Sequence, residues 1–326
     1  MKFGQVPPAE AAGAILAHSV HLSGRRLQKG RRLDAADCAA LAAAGLAGVT
    51  VARLEQGDIH EDAAADRLAR ALVAGSDLGL TRPHTGRVNV LAPGPGLARV
   101  DTAAIHALNR VEPMITVATV PPWQRLAAGG LVATIKIISY AVADTALAAA
   151  SAPGQGALGF AGSRIGTAAL IETRVPGSPV GKGLAAIRTR LDRLGAGLSG
   201  HAVVDHDEAA LAAAILACDA ELILLLTASA TSDIRDVAPA AVVRAGGRVA
   251  HFGMPVDPGN LLFLGDIGGR PVVGLPGCAR SPALNGADWV LERLICGVPV
   301  TAETIAAMGV GGLLKEAPGR PHPRRG

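Results

Sequence analysis

The fold is decided by residues 222–252, whose sequence is LILLLTASATSDIRDVAPAAVVRAGGRVAHF. The first five residues are an uninterrupted apolar run, which is typical of a strand buried on both faces. A helix is predicted over residues 233–245, ending at Gly246-Gly247, and a second strand is predicted over residues 248–252. Strands that alternate with helices in this way are typical of a mostly parallel sheet covered by helices.

The same alternation extends to both sides, over residues 157–300. Short apolar runs predict further strands, and segments with apolar residues on one helical face predict further helices. The predicted strands are 167–171, 202–204 and a hairpin built from 261–264, 266–269 and 271–275, and the predicted helices are 182–194, 207–218 and 285–295. We therefore expect an α/β fold with a C-terminal three-layer α/β/α domain. In such sheets, ligands bind beyond the carboxyl ends of the strands.

The N-terminal half has a different sequence pattern, which predicts a smaller α+β or β-rich region. Helices are predicted from Asp34 and over residues 60–73, and the Ala-rich residues 142–156 predict a linker. Three domains follow from these patterns: an N-terminal α/β segment (residues 1–75), a small mainly β unit (76–150) and the α/β/α domain (151–326), which ends in a basic, Pro-rich tail from about residue 317.

Composition excludes several classes of protein. Half of the 326 residues are hydrophobic and 18% are charged, which excludes an intrinsically disordered chain. Aromatic residues make up only 2%, which argues against a stacking platform for nucleic acid, and the net charge of +4 is mild. The best candidate for a membrane span, residues 211–231, is interrupted by Asp219 and Glu221. We therefore expect neither a nucleic-acid partner nor a membrane partner.

Two further features indicate the cellular compartment. Residues 1–10 contain two prolines and show no signal peptide. The four cysteines lie far apart and form no C-x-x-C pair, which is typical of reduced thiols and not of a structural zinc site. We expect a cytoplasmic protein.

The first candidate binding loop is residues 227–233, between the buried strand and its helix. Its small residues let backbone N–H groups face outward, and the helix dipole adds positive potential, so the loop is suited to a phosphate. The candidate ligand residues are Thr227, Ser229, Thr231 and Ser232 as hydroxyl groups, and Asp233 and Asp236 as acceptors for a metal or a polar heterocycle. The alternative is that Ser232 or Asp233 only caps the helix.

Two more loops follow predicted strands. In residues 274–282, Gly277 permits close backbone approach, and Arg280 with Ser281 forms a natural anion-binding pair. Cys278 lies in the same loop. It is either a nucleophile or a small neutral side chain, and the surrounding residues favour the second. In residues 254–260, Asp257 could contact a ligand or form the turn that Asp-Pro-Gly favours.

The order of these loops resembles the molybdopterin-binding domain shared by molybdopterin molybdotransferase and molybdopterin adenylyltransferase. That family has a strand, a Ser/Gly-rich turn with an Asp, a helix, a Pro-Gly segment before a hairpin, and a Gly-Leu-Pro-Gly loop. The matching segments here are residues 222–236, 254–259 and 274–281. The whole chain is also similar to the N-terminal part of bacterial proteins that join a molybdopterin-binding region to a nucleotidyltransferase.

The resemblance implies a ligand, a role and partners. The ligand would be molybdopterin or the molybdenum cofactor, bound through its phosphate during cofactor biosynthesis or handover. The partners would be this pterin phosphate and a nucleotidyltransferase or a molybdoenzyme maturation partner, and the chain would form a homo-oligomer. Magnesium would bind at Asp233 and Asp236, which are also the catalytic candidates. Glu172-Thr173-Arg174 stands where the family has Thr-Gly-Asp-Glu, so the catalytic acidic motif is only partly present and a binding role is favoured.

Two alternatives remain at this stage. The first is a catalytically active nucleotidyl- or molybdo-transferase, which would turn over a nucleotide or molybdate with magnesium. The second is a non-catalytic, oligomeric interaction module. The binding hypothesis requires the backbone amides of residues 229–232 and 277–280 to lie at one edge of the sheet.

Overall fold

A computed structural model describes residues 1–177 and 180–314, and the chain divides into two compact units. The first unit comprises Met1–Gly94 and Ala98–Phe160, and the second comprises Pro95–Leu97 together with the chain from Ala161 onward. The predicted basic tail from residue 317 lies outside the described residues.

The chain up to Gly162 is built from short strands and four helices within the described residues. In chain order these are β1 (Lys2–Val6), β2 (Ile15–Leu16), β3 (Val20–Leu22), β4 (Arg25–Leu27), α1 (Ala35–Ala43), β5 (Val49–Arg53), β6 (Asp58–His60), α2 (Glu61–Leu72), β7 (Gly79–Leu80), β8 (Arg87–Leu91), β9 (Gly96–Val100), α3 (Thr102–Asn109), β10 (Ile115–Thr119), β11 (Arg125–Leu126), β12 (Leu131–Ile137), β13 (Ala141–Ala143), α4 (Asp144–Gly154) and β14 (Leu158–Gly162).

The first unit has two apolar clusters. The antiparallel sheet β1–β5–β2 packs with α1, which begins at a capping box formed by Asp34 and Asp37. Helices α2, α3 and α4 pack with the sheet β10–β12–β8–β7, where Leu68 and Leu72 of α2 share a core with Ile135. The buried residues of the first cluster lie within residues 11–51, and those of the second lie within residues 64–158.

The predicted linker over residues 142–156 is instead helix α4. Alanine has the highest helix propensity, and Leu147 and Ala150 are fully buried, so the segment gains both local and packing stabilisation. Pro153 lies in the last turn of this helix. The linker prediction was wrong because the alanines before the Pro-Gly pair form a helix whose last turn includes that pair.

The second unit contains an alternation of strands and helices. In chain order these are β15 (Thr167–Arg174), α5 (Leu184–Asp192), β16 (Gly197–Asp205), α6 (Glu208–Leu216), β17 (Leu222–Leu226), α7 (Val237–Arg244), β18 (Arg248–Phe252), β19 (Phe263–Ile267), β20 (Arg270–Gly274), α8 (Gly286–Ile295) and α9 (Ala302–Ala307). The predicted strands 222–226 and 248–252 are confirmed as β17 and β18.

One six-stranded sheet organises this unit, in the order β16–β15–β17–β20–β19–β18. The pairs β15 with β16, β15 with β17, and β17 with β20 are parallel. Strand β19 runs antiparallel to both of its neighbours, and a two-residue turn at Gly268-Gly269 connects it to β20. The expected mostly parallel sheet is confirmed.

Helices cover both faces of this sheet, as the predicted three-layer arrangement requires. Ile223 and Leu225 of β17 pack against the α6 and α7 face, in a cluster with Leu211 and Val242. Side chains alternate along a strand, so Leu226 points to the opposite face, where Gly183 at the start of α5 lies against it. All five residues of β17 are buried, and each burial contributes roughly 1.5–3 kcal/mol.

Two expectations on membranes and thiols can be compared with the structure. Across residues 1–177 and 180–314, every helix is too short or too polar to cross a bilayer. Over the same residues no disulfide joins Cys38, Cys218, Cys278 or Cys296.

Tight packing around Gly274 in β20 gives a test of the sheet. A Cβ atom at this position would lie 1.9 Å from Cε1 of Phe263, so Gly274→Ala must displace a fully buried ring. We expect this substitution to lower the free energy of unfolding by about 1–3 kcal/mol, measured by urea denaturation of the full chain.

The matched control is Gly200→Ala in the edge strand β16, where a Cβ would make an ordinary contact at 3.5 Å with Ala169. This control should change the free energy of unfolding by less than about 0.5 kcal/mol. Equal stability of the two variants would contradict the packing described here.

Candidate functional site

Two strand-to-helix connections begin at the same edge of the six-stranded sheet. Strands β17 and β20 are parallel neighbours, with Leu225 paired to Gly274. The first loop (residues 227–236) and the second loop (residues 275–285) therefore leave the sheet side by side at its carboxyl edge. The structure thus brings together the two segments that the binding hypothesis requires to be close.

Arg280 joins the two loops. Its Nη2 atom donates to the carbonyl oxygen of Thr227 at 2.7 Å, and the Leu275 amide donates to the Leu225 carbonyl at 2.8 Å. Gly183 packs against this link, since a Cβ there would lie 3.3 Å from Cγ of Arg280. Part of the Arg280 guanidinium, predicted to bind an anion, is therefore committed to the backbone of the first loop.

A second arginine, Arg190 of α5, shapes the second loop. Its guanidinium donates to the carbonyl oxygens of Ala279 at 2.8 Å, Ser281 at 2.8 Å and Ala283 at 3.0 Å. Its Nε donates to Asp288 Oδ1 at 2.7 Å, and both side chains of this ion pair are 5% exposed. The sequence analysis did not identify Arg190, although a charged residue at a core-facing helix position is a recognisable signal.

The first loop is held by its own buried hydroxyl groups. Thr227 donates through Oγ1 to the Ser229 carbonyl at 2.6 Å, and its oxygen lies 3.3 Å from Thr231 Oγ1. Thr227 and Thr231 are both buried, so these two predicted phosphate donors stabilise the loop instead. Ser229 and Ser232 are exposed and lie on the solvent side of the same loop.

A polar cluster at the end of β15 contacts the first loop. Thr173 Oγ1 accepts a hydrogen bond from the Ala228 amide at 2.9 Å and lies 2.9 Å from His206 Nδ1. The buried Glu172 contacts His201 Nε2 at 3.1 Å and accepts from the Gly181 amide at 3.0 Å. The sequence analysis treated residues 172–174 only as a departure from a family motif. Polar residues at the end of an apolar strand are the signal that could have marked them as part of the edge.

The two predicted magnesium ligands are both engaged. Asp236 accepts from the amides of Ser232 at 2.6 Å and Asp233 at 3.1 Å. Asp233 pairs with Arg235, whose Nε and Nη2 lie 2.9 and 3.1 Å from its oxygens, and these bonds lower the pKa of Asp233 to about 2. The Ser232 amide, which was predicted to face a phosphate, thus already donates a hydrogen bond to Asp236. Among residues 1–177 and 180–314 there is no cluster of three metal-ligating side chains, and magnesium binding remains a prediction.

In the second loop, residues Gly277–Arg280 form one turn of 3₁₀ helix. The amides of Ala279 and Ser281 donate within the loop, to Pro276 and Cys278, and Ser281 Oγ accepts from the Ala283 amide at 3.2 Å. Gly277 is exposed, and Cys278 is half-buried. A Cβ at Gly277 would have Arg280 Nη1, at 3.4 Å, as its nearest neighbour, so the surface at this residue is open to a ligand.

The third predicted loop also reaches this edge. Asp257 is exposed, and its backbone amide and carbonyl pair with Gly312 and Leu314. The carbonyl of Pro258 accepts from the Gly286 amide at 2.8 Å, which ties this loop to the first residue of α8, directly after the second loop. Strand β18, which precedes this loop, is separated from β17 by β19 and β20 in the sheet.

Comparison with known proteins gives three findings. The model of a Domain of unknown function (DUF8806) matches residues 5–53. No curated protein matches. Among solved structures, the molybdopterin biosynthesis MoeA protein from Pyrococcus horikosii is 15% identical, covering 91% of this chain and 75% of that chain, with a TM-score of 0.32.

A second solved structure is a molybdenum cofactor biosynthesis protein from Pyrococcus furiosus, which is 12% identical and has a TM-score of 0.22. The match covers 96% of this chain and 65% of that chain, so this chain spans less than two thirds of its length. Both candidate loops lie outside the DUF8806 match.

The role of Arg190 in holding the second loop can be tested by substitution. Arg190→Met leaves Asp288 buried without its cation and leaves three carbonyl groups without this donor. We expect the free energy of unfolding to fall by about 3–5 kcal/mol, measured by urea denaturation. The matched control, Arg188→Met, changes an exposed arginine of the same helix and should lower it by less than about 0.5 kcal/mol. The same loss in both variants would refute this role.

Proposed function

We propose that the second unit binds a pterin phosphate of the molybdopterin class at the carboxyl edge of its sheet, in the biosynthesis or handover of the molybdenum cofactor. The observation that carries this proposal is the Arg280–Thr227 hydrogen bond, which joins two loops that leave neighbouring parallel strands. Ligands of such sheets bind beyond the carboxyl ends of the strands. The loop order in the sequence adds support for the pterin class.

The exposed groups at this edge suit a phosphate. The hydroxyl groups of Ser229 and Ser232 and the open surface at Gly277 face solvent. The first loop leads into α7, whose N-terminus adds positive potential, and Arg280 supplies a full positive charge between the loops. In this proposal the phosphate lies between the two loops and contacts backbone groups of both.

The exposed carboxylate of Asp233 suits the N–H groups of a pterin ring. Arg235 keeps the pKa of Asp233 at about 2, so this carboxylate is ionised near neutral pH and can accept hydrogen bonds from ring N–H groups. Asp236 Oδ2 accepts hydrogen bonds from two amides of the loop. These engagements favour binding and handover over a magnesium-dependent transfer reaction.

The proposal predicts that the bound pterin depends on the first loop. Ser229→Leu places a bulky side chain on the exposed side of this loop, where the phosphate would lie. We expect the full-length variant to retain at least about tenfold less pterin than the unaltered chain, which corresponds to about 1.4 kcal/mol. The measurement is fluorescence of the oxidised pterin released from equal amounts of purified protein.

The control is Ser163→Leu, an exposed serine just before β15 and therefore at the opposite edge of the sheet. This variant should retain as much pterin as the unaltered chain. Equal pterin in the Ser229 and Ser163 variants would disprove the site. Consumption of a nucleotide or molybdate with magnesium would favour the transferase alternative, and self-association without any retained pterin would favour the interaction module.

A further inference from the structure

The first unit contains a cavity of about 580 Å³ that the pterin proposal does not use. It lies where the β3–β4 hairpin and the segment after it approach the start of α2 and the end of β12. We call it the basic cleft, and its walls include Arg26, Lys29, Glu61, Thr85, Lys136 and Tyr140.

Positive charge predominates in the basic cleft. Three cationic side chains, those of Arg26, Lys29 and Lys136, face one carboxyl group, that of Glu61. Lys136 Nζ lies 3.8 Å from Glu61 Oε2, with side chains that are 33% and 11% exposed. Burial raises the pKa of Glu61, and the nearby Lys136 opposes this shift. The cleft therefore has an excess of positive charge for an incoming anion.

The wall opposite the hairpin is held in a strained conformation. Thr85 has a φ of +49°, which is unfavourable for a β-branched residue. The turn is fixed by the Gly86 amide, which donates to Asp62 Oδ1 at 2.6 Å, and by Lys136 Nζ, which donates to the Thr85 carbonyl. A Cβ at Gly86 would lie 2.7 Å from Glu61 Oε2. Strain of this kind persists where the surroundings impose it, and it clusters at ligand sites.

Tyr140 lies beside a second cation of the cleft, Lys29. Its hydroxyl group donates to the Ala17 carbonyl at 2.9 Å, and its carbonyl accepts from the Glu61 amide at 3.0 Å. The ammonium group of Lys29 lies 5.8 Å from the centre of the tyrosine ring, and the Lys29 amide donates to Ser19 Oγ at 3.0 Å. Contacts within the unit thus position Lys136 and Lys29 at the cavity, and Arg26 is an exposed residue of its wall.

We propose that the basic cleft binds a doubly charged tetrahedral oxyanion, the group that both inorganic phosphate and a phosphate ester present. Arginine and lysine from separate segments surround such an anion more completely than a single helix terminus can. The cavity is larger than one phosphate group, and the exposed Ile138 next to Tyr140 offers an apolar wall for an organic part. All of the residues that line this site belong to the first unit.

The test is an amide NMR titration of the full-length protein with sodium phosphate at constant ionic strength. The resonances of Gly30 and Gly86 report on the two walls of the cleft. We expect saturable shifts of both resonances. Lys29→Ala should weaken the affinity by about threefold to tenfold, because one cation near a partly exposed anion contributes modestly.

Two further variants complete the test. Arg110→Ala, an exposed cation of the same unit outside the cleft, should leave the affinity unchanged. Glu61→Gln removes the carboxyl group that opposes the anion and should tighten binding by about threefold or more. Shifts that do not saturate, or equal affinities of the Lys29 and Arg110 variants, would overturn the proposal.

Phenyl phosphate in place of phosphate distinguishes the two sources of the oxyanion. A tighter affinity than that of phosphate supports a phosphate ester, whose ring would pack against Ile138 and Tyr140. An equal or weaker affinity supports inorganic phosphate as the ligand of the cleft. Failure of both probes to shift Gly30 and Gly86 would overturn the proposal without affecting the pterin site.

Discussion

Hydrogen bonds from two arginine side chains to backbone carbonyl groups hold the carboxyl edge of the second unit together. Where strands end, the sheet no longer satisfies the backbone, and buried polar groups need other partners. Arg190 donates to three carbonyls of the second loop and pairs with Asp288, and Arg280 donates to Thr227 in the first loop. The shape of the candidate site follows from these bonds, since the loops themselves contain mostly small residues.

At this edge, some residues stabilise the loops and others are exposed to a ligand. Hydrogen bonds within the first loop engage Thr227, Thr231 and Asp236, while Ser229 and Gly277 remain exposed. The basic cleft of the first unit works differently, because its positive charge comes from long side chains and not from backbone groups. The chain thus offers two chemically distinct places for an anion.

The sequence predicts the elements that local pattern determines. β17 and β18 were predicted at their observed bounds because each is a short run between clear turn signals, and the strand–helix alternation placed both loops at one edge. Strands β1 and β2 pair with the distant β5, and the three-residue strands β3 and β4 form a short hairpin; none of the four was predicted. The core-facing position of Arg190 is visible in the sequence, but its partner Asp288 is not, because it lies 98 residues away along the chain.

The most direct measurement is amide hydrogen exchange of the full chain carrying Arg280→Met, compared with the unaltered chain. The bond from Arg280 to Thr227 connects two loops that are 53 residues apart in sequence, so its loss should reach both. If the two loops form one site, we expect faster exchange in residues 227–236 as well as in residues 275–285, and an unchanged exchange rate in β17. Faster exchange in the second loop alone would show that the two loops are independent, and it would contradict a single binding site formed by both.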